Sequence, residues 1–239
     1  MNSLMRHFFL LFSVVFLYGN CEPCVAGDWE VSSAVVTGGD DTIDIQILNN
    51  GKAWRNIYYK IKGDQFLFSP EFLTGNVTIE GRKFNDLQIK YDIYDDELIM
   101  ITDHKIIIQL NKEMVDFFSM DFNENVYNFK KFEADSVNTL SGYVNVLYEG
   151  GTSLYVKYRK EILLLAVENK YDLFNQINKV FVKKGDEIYK VDSKMEFLKL
   201  FKDQKQQLHN FIRSNKIKLS KKVPESFIPV VEYYDKLRH

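Results

Sequence analysis

Residues 75–122 read GNVTIEGRKFNDLQIKYDIYDDELIMITDHKIIIQLNKEMVDFFSMDF, and the fold turns on this stretch. Five short runs, Asn76 to Glu80, Leu87 to Tyr91, Glu97 to Thr102, Lys105 to Leu110 and Phe117 to Phe122, alternate apolar with polar side chains. Such a period of two places one face of a strand inward and the other outward. Gly81-Arg82, Asp95-Asp96, Asp103-His104 and Asn111-Lys112-Glu113 separate the runs. Connections this short favour antiparallel neighbours, because a parallel crossover takes about a dozen residues or more. The stretch predicts an antiparallel meander.

Toward the C-terminus, Asn125 to Phe132 extends the meander, and Gly142 to Tyr148 turns through Gly150-Gly151 into Ser153 to Tyr158. Val180 to Lys183 and Ile188 to Val191 make a further hairpin around Lys184-Gly185-Asp186. Toward the N-terminus, Trp29 to Val36 and Thr42 to Leu48 (TIDIQIL) read as another pair of strands, joined by Gly38-Gly39-Asp40-Asp41. The aromatic-rich segment Trp54 to Phe72 fits no single element. Its side chains, with those up to Tyr94, are either core packing or the lining of a ligand groove.

At Asp192 the pattern changes. Ser193-Lys194-Met195-Glu196 matches a capping box, and Asp203 with Gln206 offers a second helix start. Leu198, Phe201, Leu208 and Phe211 recur at helical spacing, Asn215 is a stop, and Pro224 and Pro229 bar a continuous final helix. The expected fold is mainly β with a small α appendage (α+β): an antiparallel meander sheet or open barrel over residues 27–191, then a basic helical segment over 192–239.

Composition agrees. With 239 residues, 46% hydrophobic, 27% charged and a net charge of -2, the chain lies outside disordered and collagen-like classes. The charge balance removes the global positive field of a dedicated nucleic-acid binder. Arg6 and His7 precede Phe8 to Tyr18, eleven residues that are apolar apart from Ser13 and the Tyr18 hydroxyl. As a helix that run spans about 16 Å, half of a hydrocarbon core of about 30 Å, so residues 1–26 read as a signal peptide. Two cleavage positions fit, one near Cys21 and one after Ala26, which places the boundary between residues 20 and 27. Cys21, just behind the apolar core, is the candidate for lipidation. Cys24 is too near to it for a good disulfide loop.

Three constellations carry candidate chemistry. Asp92, Asp95, Asp96 and Glu97 cluster at a turn and offer paired carboxylates for glycoside hydrolysis, against the plainer reading of a solvated turn. Residues 194–222 hold nine basic side chains against Glu196 and Asp203, a net of +7 that leaves -9 for the remainder. Lys199, Lys202, Lys205, Arg213 and Lys216 are the candidate contacts for an anionic membrane or partner. The histidines show no metal spacing, and no nucleophile elbow, phosphate loop or dinucleotide fingerprint occurs. No catalytic, metal or cofactor residue is assigned.

Gly51-Lys52-Ala53-Trp54-Arg55-Asn56-Ile57-Tyr58-Tyr59, Gly75-Asn76-Val77-Thr78-Ile79, Tyr91-Asp92-Ile93-Tyr94-Asp95-Asp96-Glu97 and Gly142-Tyr143-Val144-Asn145-Val146-Leu147-Tyr148 together resemble a group of exported β-rich proteins of Bacteroidota-type bacteria. That group has no established activity, and the resemblance implies only a Gram-negative envelope location. The resulting expectation is an exported protein, periplasmic or associated with the outer membrane, that binds a protein, glycan or lipid partner without catalysis. Peripheral membrane contact fits it and nucleic acid does not. The alternatives are a periplasmic carrier of a hydrophobic ligand and a carboxylate-dependent hydrolase.

Overall fold

The computed structural model describes residues 46–133 and 140–238. Among these, eleven strands form one antiparallel sheet. They are β1 (Gly51–Ala53), β2 (Leu73–Ile79), β3 (Arg82–Asp92), β4 (Glu97–Ile101), β5 (Ile107–Leu110), β6 (Val115–Phe122), β7 (Asn125–Phe132), β8 (Gly142–Tyr148), β9 (Thr152–Val167), β10 (Tyr171–Lys184) and β11 (Glu187–Val191). The mainly β architecture with a short helical C-terminus is the one its alternating pattern predicts.

The spatial order is β1-β5-β4-β3-β2-β6-β7-β8-β9-β10-β11, so two meanders run outward in opposite directions from a β2/β6 seam. Val77 faces Phe118 and Thr78 faces Phe117 across that seam. Residues 111–114 must then bridge β5 to β6, which stand four strand positions apart in the sheet. Five peptide steps reach at most about 18 Å. Four inter-strand spacings on a flat sheet take about 19 Å. The sheet therefore curls. Lys112 on this bridge reaches Asp96 in the β3–β4 turn, and Lys131 on β7 donates to Lys112 O at 3.2 Å.

Inside the curl, Phe118 and Phe129 stack at 4.6 Å while Tyr91 and Tyr143 meet them edge-on. Such ring pairs contribute about 0.5–1.5 kcal/mol each beyond the area they bury. The segment 54–72 is largely irregular; several of its rings pack, while Tyr59 is exposed. Phe68 stacks on Phe122, and Tyr58 meets both Tyr94 and Phe174 edge-on.

Three helices follow: α1 (Lys194–Leu200), α2 (Lys205–Ser214) and α3 (Ile228–Arg238). Ser193 Oγ accepts the Glu196 N–H at 3.2 Å, and Glu196 Oε2 accepts the Asp192 N–H at 2.9 Å, so the cap read from sequence forms. The second expected cap does not. Asp203 accepts instead from Tyr234 Oη and Lys184 Nζ, and α2 starts without a side-chain cap. Pro229 stands in the first turn of α3, where a missing N–H costs nothing. Phe197, Phe201, Leu208, Phe227, Val230 and Tyr234 share one core with the sheet. Buried Asp235 fastens α3 to the start of β9 by accepting from Thr152 N–H at 2.9 Å and Tyr148 O–H at 3.1 Å.

The expected strand over 42–48 is corrected at its end: residues 46–48 are helical, and the earlier positions lie outside the described residues, as do Trp29 to Val36.

Candidate functional site

The β3–β4 turn gathers the predicted carboxylates but gives each a separate task. Asp92 ends β3 almost without solvent contact, and its Oδ1 accepts the N–H groups of Tyr94 at 2.9 Å and Asp95 at 3.0 Å. Burial outweighs those two bonds and pushes its carboxyl up to about 6. Asp95 accepts from the Tyr58 hydroxyl at 3.0 Å, and burial together with that carboxylate drives the phenol up to about 12. Glu97, on β4, is raised chiefly by burial, against the pull of Lys112.

Asp96 holds the centre. It sits at φ +62 and receives Lys157 Nζ at 2.5 Å, Lys112 Nζ at 2.8 Å and the Tyr91 hydroxyl at 2.5 Å. Lys157 on β9 is buried, and desolvation lowers its pKa despite the opposing field of Asp96. Gly142 starts β8 directly over this carboxylate at φ +73; a Cβ there would lie 1.8 Å from Asp96 Oδ2 and 2.8 Å from Lys157 Nζ. One carboxylate thus ties the β3–β4 turn to β3, the β5–β6 bridge and β9, with the start of β8 packed directly over it. Because Asp92, Asp95 and Asp96 already accept backbone, phenol and ammonium donors, their geometry is that of a structural latch, while Glu97 Oε2 is buried without a hydrogen-bond partner among the described residues. Asp92 and Asp96 are built into the fold, whereas Asp95 is exposed at the turn, as the solvated-turn reading expects.

A groove of about 710 Å³ opens at the other end of the molecule's chemistry, among the helices. Lys194 comes from the start of α1. Lys205, His209 and Arg213 lie four residues apart along α2, and Lys216 and Lys218 follow on the extension past its end. Ile212 and Ile217 supply its apolar lining. No carboxylate lines it, and among the described residues none of Lys194, Lys205, Arg213, Lys216 and Lys218 makes an ion pair. The spacing explains the convergence, because residues four apart on a helix are surface neighbours. Arg213 and Lys216 also sit at the electronegative end of α2, which favours their charge.

Of the five basic residues singled out from sequence, Lys205, Arg213 and Lys216 line this groove. Lys199 and Lys202 are exposed but stand outside its lining. Lys199 stands five residues, about 140° of helix, from Lys194 and so lies on another face of α1, and Lys202 opens the 3-10 turn Lys202–Gln204. Sequence reasoning passed over Lys194, His209 and Lys218 as site residues; the Lys205, His209, Arg213 spacing was the available signal. Cys21 lies outside the described residues.

Two further clefts are mainly polar. One of about 440 Å³ is lined by Lys52, Glu97, Gln109 and Lys112, and one of about 220 Å³ by Asp95, Asp96, Ser141, Lys157, Arg159 and Lys179. Neither offers the apolar interior that a carrier of hydrophobic ligands needs. No described helix is long and apolar enough to cross a membrane. Among the described residues no group of three or more His, Cys, Asp or Glu side chains stands ready to hold a metal ion. Comparison of the chain with protein-family models, curated proteins and solved structures finds no match.

Proposed function

We propose that the protein is an exported envelope protein of binding type whose basic groove takes the phosphate-bearing headgroups of an anionic membrane surface. The observation that carries this reading is the groove's unneutralised charge: five Lys and Arg side chains from three consecutive segments line one depression with no carboxylate among them. Lys157, the buried lysine, is paired with Asp96, whereas the exposed charges gathered here have no carboxylate beside them and are available to a ligand. Each lysine or arginine held near an anionic leaflet contributes about 1 kcal/mol. Arg213 adds a planar fork suited to two phosphate oxygens at once. The export expectation from residues 1–26 supplies the compartment in which such a surface is met.

Vesicle co-sedimentation tests the reading. Binding should be absent on phosphatidylcholine alone, should rise with the fraction of phosphatidylglycerol and should weaken as salt shortens the screening length. Binding that ignores salt, or none at any anionic fraction, contradicts it. Mass spectrometry of the N-terminus of protein isolated from its native envelope tests the export expectation separately. A diacylglyceryl group on Cys21 marks a lipid anchor, a start at Gly27 marks free secretion, and an intact leader contradicts export.

A further inference from the structure

Beyond the sheet proper, β9 and β10 continue as a two-stranded arm, paired from Arg159 with Ile177 to Leu163 with Leu173. Glu168 and Asn169, both at φ +55, close it with Lys170 N–H donating to Val167 O at 3.0 Å. The two outer edges of this arm are treated differently. On the β10 side, Lys62 seals the backbone: its N–H donates to Asp172 O at 2.9 Å and its carbonyl accepts from Phe174 N–H at 3.0 Å. On the β9 side, only Lys160 is engaged, its N–H donating to Ile93 O at 3.1 Å.

Because in-plane backbone direction alternates along a strand, Ile162 and Leu164 point their N–H and C=O groups the same way as Lys160, away from β10. Among the described residues neither meets a backbone partner on that side. Leucines crowd the same window: Leu163 is 39% exposed, Leu164 76% and Leu165 56%. An open edge with large apolar side chains is a template for another strand. Lipid insertion suits it poorly, since the leading turn carries Glu168 and Lys170, whose charges would enter the membrane first.

We infer that the free edge of β9 pairs with the same edge of a second copy of this chain, antiparallel, about a two-fold axis at Leu163. The window is bounded by Lys160, already bonded to Ile93, and by Leu165, whose φ of +52 ends the extended run. Centring on Leu163 sets Ile162 opposite Leu164 of the other copy and the converse, giving four new backbone hydrogen bonds. Glu161, the one charge inside the window, then faces Leu165 rather than its own equivalent, so no like charges meet. Isologous two-fold contacts of this kind are self-complementary by construction. The whole exposed surface of these three leucines falls well short of the roughly 800 Å² per partner of a standard interface, so the dimer should be weak and concentration-dependent.

Sedimentation equilibrium of the full chain over a range of concentrations, without vesicles, tests this independently of the headgroup reading. The expected result is a monomer–dimer equilibrium that Leu163→Lys weakens tenfold or more, because it sets two ammonium groups at the axis. Mixing Leu163→Lys with Leu163→Glu chains should restore the dimer as a heterodimer, which separates a broken interface from a broken fold. In a Cys21→Ser, Cys24→Ser background, Leu163→Cys should cross-link on mild oxidation and Glu168→Cys should not. Facing residues of a non-hydrogen-bonded pair lie about 4.5 Å apart at Cα, within disulfide range. A chain that sediments as monomer at every concentration, or a dimer indifferent to Leu163→Lys, overturns the inference.

Discussion

Lys157 and Lys205 carry the same charge under opposite conditions. Lys157 is buried at 2.5 Å from Asp96 and held by a glycine that leaves no room for a side chain, whereas Lys205 lies exposed in a groove without a carboxylate. The first lysine is consumed in joining β9 to the β3–β4 turn, and its removal should be felt as lost stability. The second contributes almost nothing to folding, since even paired surface charges add about 0–1 kcal/mol. Placing both in one chain shows how a near-neutral protein keeps a localised positive site: its buried lysine is neutralised by Asp96, and the basic residues of the groove have no carboxylate beside them.

The strongest way to break that contrast is at Gly142. Gly142→Ala puts a methyl group into Asp96 Oδ2 and forces a left-handed backbone on alanine, so the latch must open. A loss of about 3–5 kcal/mol is expected, read as the midpoint shift in urea denaturation. An unchanged midpoint would mean that the latch does not hold the fold. Next comes Lys157→Met, which keeps the apolar stem but leaves Asp96 with Lys112 and Tyr91 alone. It should cost about 2–4 kcal/mol, less than breaking an isolated buried pair because a second cation remains.

Asp92 sharpens the comparison through pH. Its folded carboxyl is raised to about 6 from an ordinary 3.8, so the folded state holds this proton more tightly than the unfolded state does. Stability from this group is present below about pH 4 and is lost as pH rises through 6, up to about 2–3 kcal/mol. Asp92→Asn retains the oxygen that accepts from Tyr94 and Asp95 and should flatten that part of the stability curve. Thermal denaturation between pH 4 and 7 measures it, and an identical slope in both proteins would remove burial as the cause.

The meander was legible because period-two alternation and short connections are local signals, and the first helix cap because Ser193 and Glu196 stand three residues apart. The β2/β6 seam was not, since a chain reversal pairs residues roughly forty apart with no local mark. The β9–β10 arm escaped for another reason: Ile162 to Val167 is continuously apolar, so alternation stops at Tyr158 although the strand does not. The acidic turn was visible as a cluster, yet its meaning depended on Lys112 and Lys157, 16 and 61 residues from Asp96. The basic patch was visible by composition, and helix phase together with the turn at Lys202–Gln204 decided which of its lysines converge.

The smallest expected effect on stability belongs to the groove, and there the central claim is most exposed. Lys205→Gln, Arg213→Gln and Lys216→Gln combined should move the urea midpoint by less than about 0.5 kcal/mol, as surface substitutions do. Partitioning onto vesicles rich in phosphatidylglycerol should fall by about a hundredfold, the effect of three charges at about 1 kcal/mol each. A triple variant that stays folded and binds anionic vesicles as the natural chain does would contradict the account.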